Sequence, residues 1–327
     1  MIALLASLSG CTSPDAADSA LPECGVGIKE TFPAAGSADF YYRGEIEVHL
    51  DDADDTAVIS MDQAGTSWRS EDNKTVYYTL EAPLDPSTAY SFDVSYCTAD
   101  VTIDFSTSEL GKDIADIDGL VGTVYDLDLS SGRIVIPEGV GSVLESYLTV
   151  QILLEVASAG AEIEFLGAIG DEDNPGTQDY CTETLNFPEA ADFSDAPFFR
   201  IGPATTTITV AGYEVTIEDL EISGTFSEDG SWFGGGVLAG SIDTAPLAVL
   251  VGDDEEDDAV CNLVAGFGVS CVECPNGTDL CLEIKAVDLS GTAIEADVEE
   301  IAQGDCHENC DASWENEECD TSGWGEE

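Results

Sequence analysis

Tyr90, Phe92, Val94 and Tyr96 alternate with Ser91, Asp93, Ser95 and Cys97, and Val101, Ile103 and Phe105 then alternate with Thr102, Asp104 and Ser106. Period two sends successive side chains to opposite faces, so each run has one apolar face and reads as a half-buried antiparallel strand. Residues 44–50 and 75–80 have the same texture. Short strands at this spacing between residues 23 and 109 predict a β-sandwich, with Cys97 on the face opposite Phe92 and Tyr96.

From residue 110 to 304 the texture changes but stays strand-like. Residues 121–129, 151–156 and 161–166 read as strands, as do 206–210, 213–217 and 220–226, with Ala211-Gly212 as a tight hairpin turn. The run 232–243 is a glycine-rich strand, where glycine marks a bend or a close backbone approach. No helix start with phosphate-cradling spacing follows it, which removes a nucleotide-binding reading. Two short helices are expected at 140–149 and 257–267. In the second, Asp257 or Asp258 would cap, and Ala259, Val260, Leu263, Val264 and Phe267 would share a stripe. The fold class is therefore all-β: a small sandwich, then a larger disulfide-bonded sandwich or barrel with one or two short helices.

The cysteines depend on the compartment, which the first residues address. Ile2 to Leu8 are apolar or small and too few to span a bilayer, so residues 1–10 read as a signal peptide. Leu8-Ser9-Gly10-Cys11 resembles a bacterial lipobox. That resemblance implies cleavage before Cys11, lipid on its sulfur, and a tether over residues 11–22. No Lys or Arg precedes the apolar run, a departure from the pattern that a start further upstream would explain. Thr12 rather than Asp after the cysteine implies, by the same likeness, the outer membrane.

Of eleven cysteines, Cys11 would carry lipid and ten would remain: Cys24, Cys97, Cys181, Cys261, Cys271, Cys274, Cys281, Cys306, Cys310 and Cys319. An even number outside the cytosol predicts disulfides. Cys24 and Cys97 are alone in the first folded region and are expected to pair. Cys271 and Cys274 lack a second ligand pair for zinc and a βαβ setting for redox work, so they read as staples. Cys306, Cys310 and Cys319 lie in a polar, acidic tail, 305–327.

Sixty-eight acidic against eight basic side chains give a net charge of −60. That excludes nucleic acid as a partner and disfavours anionic lipid surfaces. No cofactor is expected. Calcium is considered for Asp253, Asp254 and Asp257 in the densest acidic run. The stretch from Asp171 fails as an EF-hand, because Pro175 takes the fifth ligand position and no Glu the twelfth.

The first region resembles SbsA-type bacterial Ig-like domains at Pro33 and Gly36, at the run from Pro83 to Tyr90, and at Phe105-Ser106-Thr107. The resemblance implies a spacer or display module, with the Tyr90 hydroxyl capping a corner. Residues 232–243 and Cys261 to Cys281 resemble uncharacterised lipoproteins of myxobacteria-like bacteria, a likeness with no activity attached. The expected function is thus non-catalytic: a lipid-anchored envelope protein whose Ig-like spacer carries a domain that binds an envelope protein or an apolar ligand. Phe198, Phe199, Trp232 and Phe233 are the candidate lining. Alternatives are a secreted, glycosidase-like hydrolase and a cation-dependent adhesin. Against a triad stand only two histidines, His49 and His307, and no GxSxG or HExxH string.

Overall fold

The structure is a computed structural model, and it describes residues 25–97, 99–137, 151–171, 174–180, 182, 184–187, 190–210, 213–251 and 256–301. The lipobox with Cys11, the tether, Cys24, the helix expected at 140–149, Cys181, Asp253, Asp254 and the tail with Cys306, Cys310 and Cys319 lie outside the described residues. No helix among the described residues is long and apolar enough to cross a membrane.

Seven strands form the first unit: β1 (Ile28–Phe32), β2 (Ile46–Leu50), β3 (Val58–Met61), β4 (Gly65–Arg69), β5 (Thr75–Leu80), β6 (Ala89–Tyr96) and β7 (Ala99–Ser106). They make two antiparallel sheets, β1-β2-β5-β4 and β3-β6-β7. The inward residues are the ones the alternation selects. Ile46, Val48 and Val76 of one sheet meet Ile59, Phe92, Val94 and Phe105 of the other, all buried. Burying such a side chain is worth about 1.5–3 kcal/mol, which makes this the main stabilising term of the sandwich. The Tyr90 hydroxyl accepts a hydrogen bond from the Asp85 amide at 2.8 Å, tying the Pro83-to-Tyr90 corner to its own strand. Cys97 is disulfide-bonded. It does not extend β6 as the alternation suggested: it turns away at φ +50°, its amide on the buried Asp54 carboxylate at 2.7 Å.

The second unit is one antiparallel sheet: β8 (Val124–Asp128), β9 (Arg133–Ile136), β10 (Ile152–Ala159), β11 (Glu162–Ile169), β12 (Leu185–Asn186), β13 (Ala191–Asp192), β14 (Phe198–Val210), β15 (Tyr213–Phe226), β16 (Trp232–Asp243) and β17 (Cys281–Ile294). The order is β12-β11-β10-β8-β17-β16-β15-β14, with β13 beside β11 and β9 beside β17. β17, the last of the described strands, is thus the one that joins β8 to β16.

The sheet curls until its ends meet. Phe165 on β11 and Phe199 on β14 stand far apart in strand order, yet their ring centroids are 5.0 Å apart. Residues between β13 and β14 complete the approach: the Phe193 amide bonds Ala161 and the Phe226 amide bonds Pro197. A barrel of this size is filled by side chains rather than hollow. Tyr125, Phe193, Phe199, Phe226 and Phe233 fill it, each under 3% exposed. Gly291 sits where a Cβ would come within 2.2 Å of the Phe233 ring, so the backbone there yields space to the core.

Between β16 and β17 the chain leaves the sheet for a short helical excursion closed by two disulfides, Cys261–Cys271 and Cys274–Cys281. The two members of the CxxC therefore take different partners, as staples would. The helix is Ala259–Ala265, shorter than expected, and the Asp258 side chain makes no capping hydrogen bond. Val260 and Val264 are buried, but Leu263 and Phe267 from the expected stripe face outward.

Candidate functional site

The two units meet through the segment Phe40-Tyr41-Tyr42-Arg43-Gly44, which precedes β2. Phe40 turns inward onto Phe105 and Tyr42 into the sandwich core. Tyr41 and Arg43 are thereby pushed outward onto the barrel. The Tyr41 hydroxyl shares a hydrogen bond with Thr225 at 2.7 Å. Its ring lies over Gly235, which adopts φ +59° and whose Cβ would stand 2.3 Å from the ring. Burial pushes the Tyr41 hydroxyl well above the usual phenol range. Arg43 donates to Tyr42 at 3.0 Å and to Asp195 at 2.8 Å, and its guanidinium lies 4.1 Å from the Phe198 ring centroid.

A second contact of opposite polarity locks the junction. Arg133 on β9 donates to Glu47 on β2 at 3.1 Å, reaches Asp288 at 3.4 Å, and covers the Phe32 ring at 4.5 Å. Glu47 also meets His49 at 3.1 Å. Burial would raise the Glu47 carboxyl, but the hydrogen bonds from His49 and Arg133 outweigh it and hold it below its ordinary value. In a chain with eight basic side chains, Arg43 and Arg133 both lie at this junction, and Arg200 stands close by.

Beside Tyr41 the two units leave a cleft of about 310 Å³. The sandwich supplies Glu45, Thr79, Glu81 and Pro83; the barrel supplies Phe198, Arg200, Ser223 and Val237. The volume is at the lower end for small-molecule sites, and the wall is more polar than most, with Arg43, Glu45, Glu81 and Arg200 beside its apolar surface. Arg200 lies against Glu221 at 3.4 Å, so both cleft arginines are partnered by carboxylates. The described residues lining the cleft include neither histidine nor cysteine.

The four aromatics expected to line one pocket separate. Phe199 and Phe233 are fully buried in the barrel core. Trp232 packs against the sandwich core instead. Phe198 alone lines the cleft. Adjacent strand residues face opposite ways, so neither the Phe198-Phe199 pair nor the Trp232-Phe233 pair can share one cavity. Among the described residues no group of three or more His, Cys, Asp or Glu is placed to hold a metal, and Asp257 belongs to no such group. Sequence reasoning missed Tyr41, Arg43 and Arg133. The available signal was an aromatic run ending in arginine within a chain nearly devoid of basic residues.

No family model matches the chain, and no curated protein matches it. Among solved structures, an L,D-transpeptidase from Mycobacterium smegmatis is similar over 61% of this chain and 76% of its own, at 13% identity and a TM-score of 0.23. That likeness is too distant to bear on the chemistry of the cleft.

Proposed function

We propose that this chain is a lipid-anchored protein of the cell envelope, held at the outer membrane through Cys11, with a non-catalytic binding role. The observation that carries the binding role is the shared cleft, whose wall brings polar and aromatic side chains of both units together. The Ig-like unit then does two things: it stands the barrel-like unit off the membrane, and it completes the site. The anchor rests on the lipobox resemblance and the tether-like composition behind it. The stapled excursion at Cys261 to Cys281 suits an oxidising compartment.

Two measurements on the full chain test this. Metabolic labelling with a palmitate analogue should mark the wild type and not Cys11→Ala; unlabelled wild type ends the anchor. For the cleft, native mass spectrometry after exposure to envelope extract should show a retained molecule that Val237→Trp, which fills the cleft, releases. A ligand profile identical in the two proteins would end the binding role.

A further inference from the structure

The cleft continues onto the outer face of the sandwich. Along β5, Tyr77 and Thr79 lie two residues apart and so share that face, roughly 7 Å at about 3.3 Å per residue, and Glu81 follows just beyond the strand. Trp68 on β4 stands opposite Tyr77 in register, and Glu45 precedes Ile46, the partner of Tyr78. Thr79, Glu45 and Glu81 belong to the row and to the cleft wall at once.

Trp68 is 45% exposed, unusual for so large an apolar ring, and its orientation is fixed. One face stacks on Tyr77 at 4.1 Å with the planes 15° apart. The indole N–H donates to the Thr79 hydroxyl at 3.0 Å, and that hydroxyl donates to Glu45 at 2.7 Å. The ring is held flat by its neighbours, with its remaining area toward solvent. Holding it so lowers the ordering cost that a ligand would otherwise meet.

Resting on the reading of the cleft as a ligand site, we propose that Trp68, Thr79, Glu45 and the cleft together bind a neutral oligosaccharide. The chemistry narrows the occupant by elimination. An apolar ligand would strip water from Glu45 and Glu81 without replacing its hydrogen bonds, which costs several kcal/mol. A polyanion meets a chain of net charge −60 and finds both cleft arginines already paired with Asp195 and Glu221. A polycation is drawn by the net charge, and the charged trimers in the test separate it from a neutral chain. A sugar has apolar C–H faces for a flat indole, together with hydroxyls that donate to carboxylates and accept from arginine and hydroxyl groups. The extended row fits a short chain of rings rather than a single one.

The test is titration of the full chain in detergent with cellotriose, laminaritriose, maltotriose, mannotriose and chitotriose, with trigalacturonate and the chitosan trimer as charged counterparts. Indole fluorescence and calorimetry report binding. At least one neutral trimer should bind tighter than about 1 mM, with Trp68→Ala weakening it tenfold or more and Trp68→Phe restoring part of the loss. Val237→Trp should weaken it too, and since that change lies on the barrel wall, a folding fault in the edge strand cannot mimic the result. Failure of every neutral trimer, or binding confined to a charged one, overturns the proposal. If the trimers fail while Val237→Trp still releases a molecule retained from envelope extract, the sugar falls and the cleft stands; if both fail, both fall.

Discussion

The ring of Tyr41 rests on the bare backbone of Gly235, and no side chain of any size fits between them. One residue belongs to the sandwich and the other to the barrel, so the contact sets how the two units sit together. It also forms part of the cleft wall.

Gly235→Ala is therefore expected to destabilise the junction by about 2–4 kcal/mol, from the clash and from the left-handed backbone that alanine adopts poorly. Urea unfolding should become less cooperative, with the sandwich and barrel separating into two transitions. An unchanged single transition would mean that the ring is not seated there.

Removing the second lock acts through charge. Arg133→Met leaves Glu47, whose side chain is only 10% exposed, without one of its two charged partners. The cost should reach about 1–3 kcal/mol, below that of breaking a fully buried pair because Arg133 is itself one-third exposed. The double change Arg133→Met with Glu47→Gln should recover part of it. A cycle with no coupling between the two sites would contradict the contact.

The Glu47 carboxyl is held below its ordinary 4.5, so its contribution is present above that pH and is lost as pH falls through the depressed folded value. Acid simultaneously discharges the other carboxylates and relieves their repulsion. The informative quantity is the difference in stability between wild type and Glu47→Gln, which should shrink as pH falls below 4.5. A difference that grew in acid would reverse the assigned sign.

The net charge predicts the response to salt. Exposed carboxylates repel over a Debye length of about 8 Å at physiological ionic strength, and added salt shortens it. The melting temperature should rise by several degrees between low salt and molar sodium chloride; a flat or falling curve would argue that repulsion is not limiting.

The two disulfides close loops of 10 and 7 residues. Chain-entropy reasoning gives each about 2–3 kcal/mol. Because they sit on an excursion, replacing Cys261 and Cys271 by serine should open 244–280 to proteases while amide exchange in β16 and β17 changes little. Loss of protection throughout the barrel would show that the excursion is part of its core.

Regular alternation was legible in the sequence, and irregular alternation was not. The strand at 75–80 coincides with β5, and the glycine-rich run at 232–243 coincides with β16 although its register shifts at the glycines, because turn residues bound each one. β17 escaped because its phase slips: Leu282 and Ala286 are buried, Asp288 takes φ +62°, and Leu289 and Gly291 are then the inward residues. A period-two reading loses the strand at that point. The cleft was less legible still, since it needs two units brought together by Tyr41 and Arg43, which lie in no strand. Trp68 offered a faint signal, an aromatic flanked by Ser67 and Arg69.

The position of β17 orders events in time. Strands β8, β10 and β11 make one half-sheet and β14 to β16 another; they touch at their outer edges near Phe165 and Phe199, and among the described strands β17 alone pairs with both halves. A polypeptide emerging from its N-terminus carries two unfinished halves with raw edges until residues 281–294 appear. Closure of the barrel between β8 and β16 therefore waits on the arrival of residues 281–294.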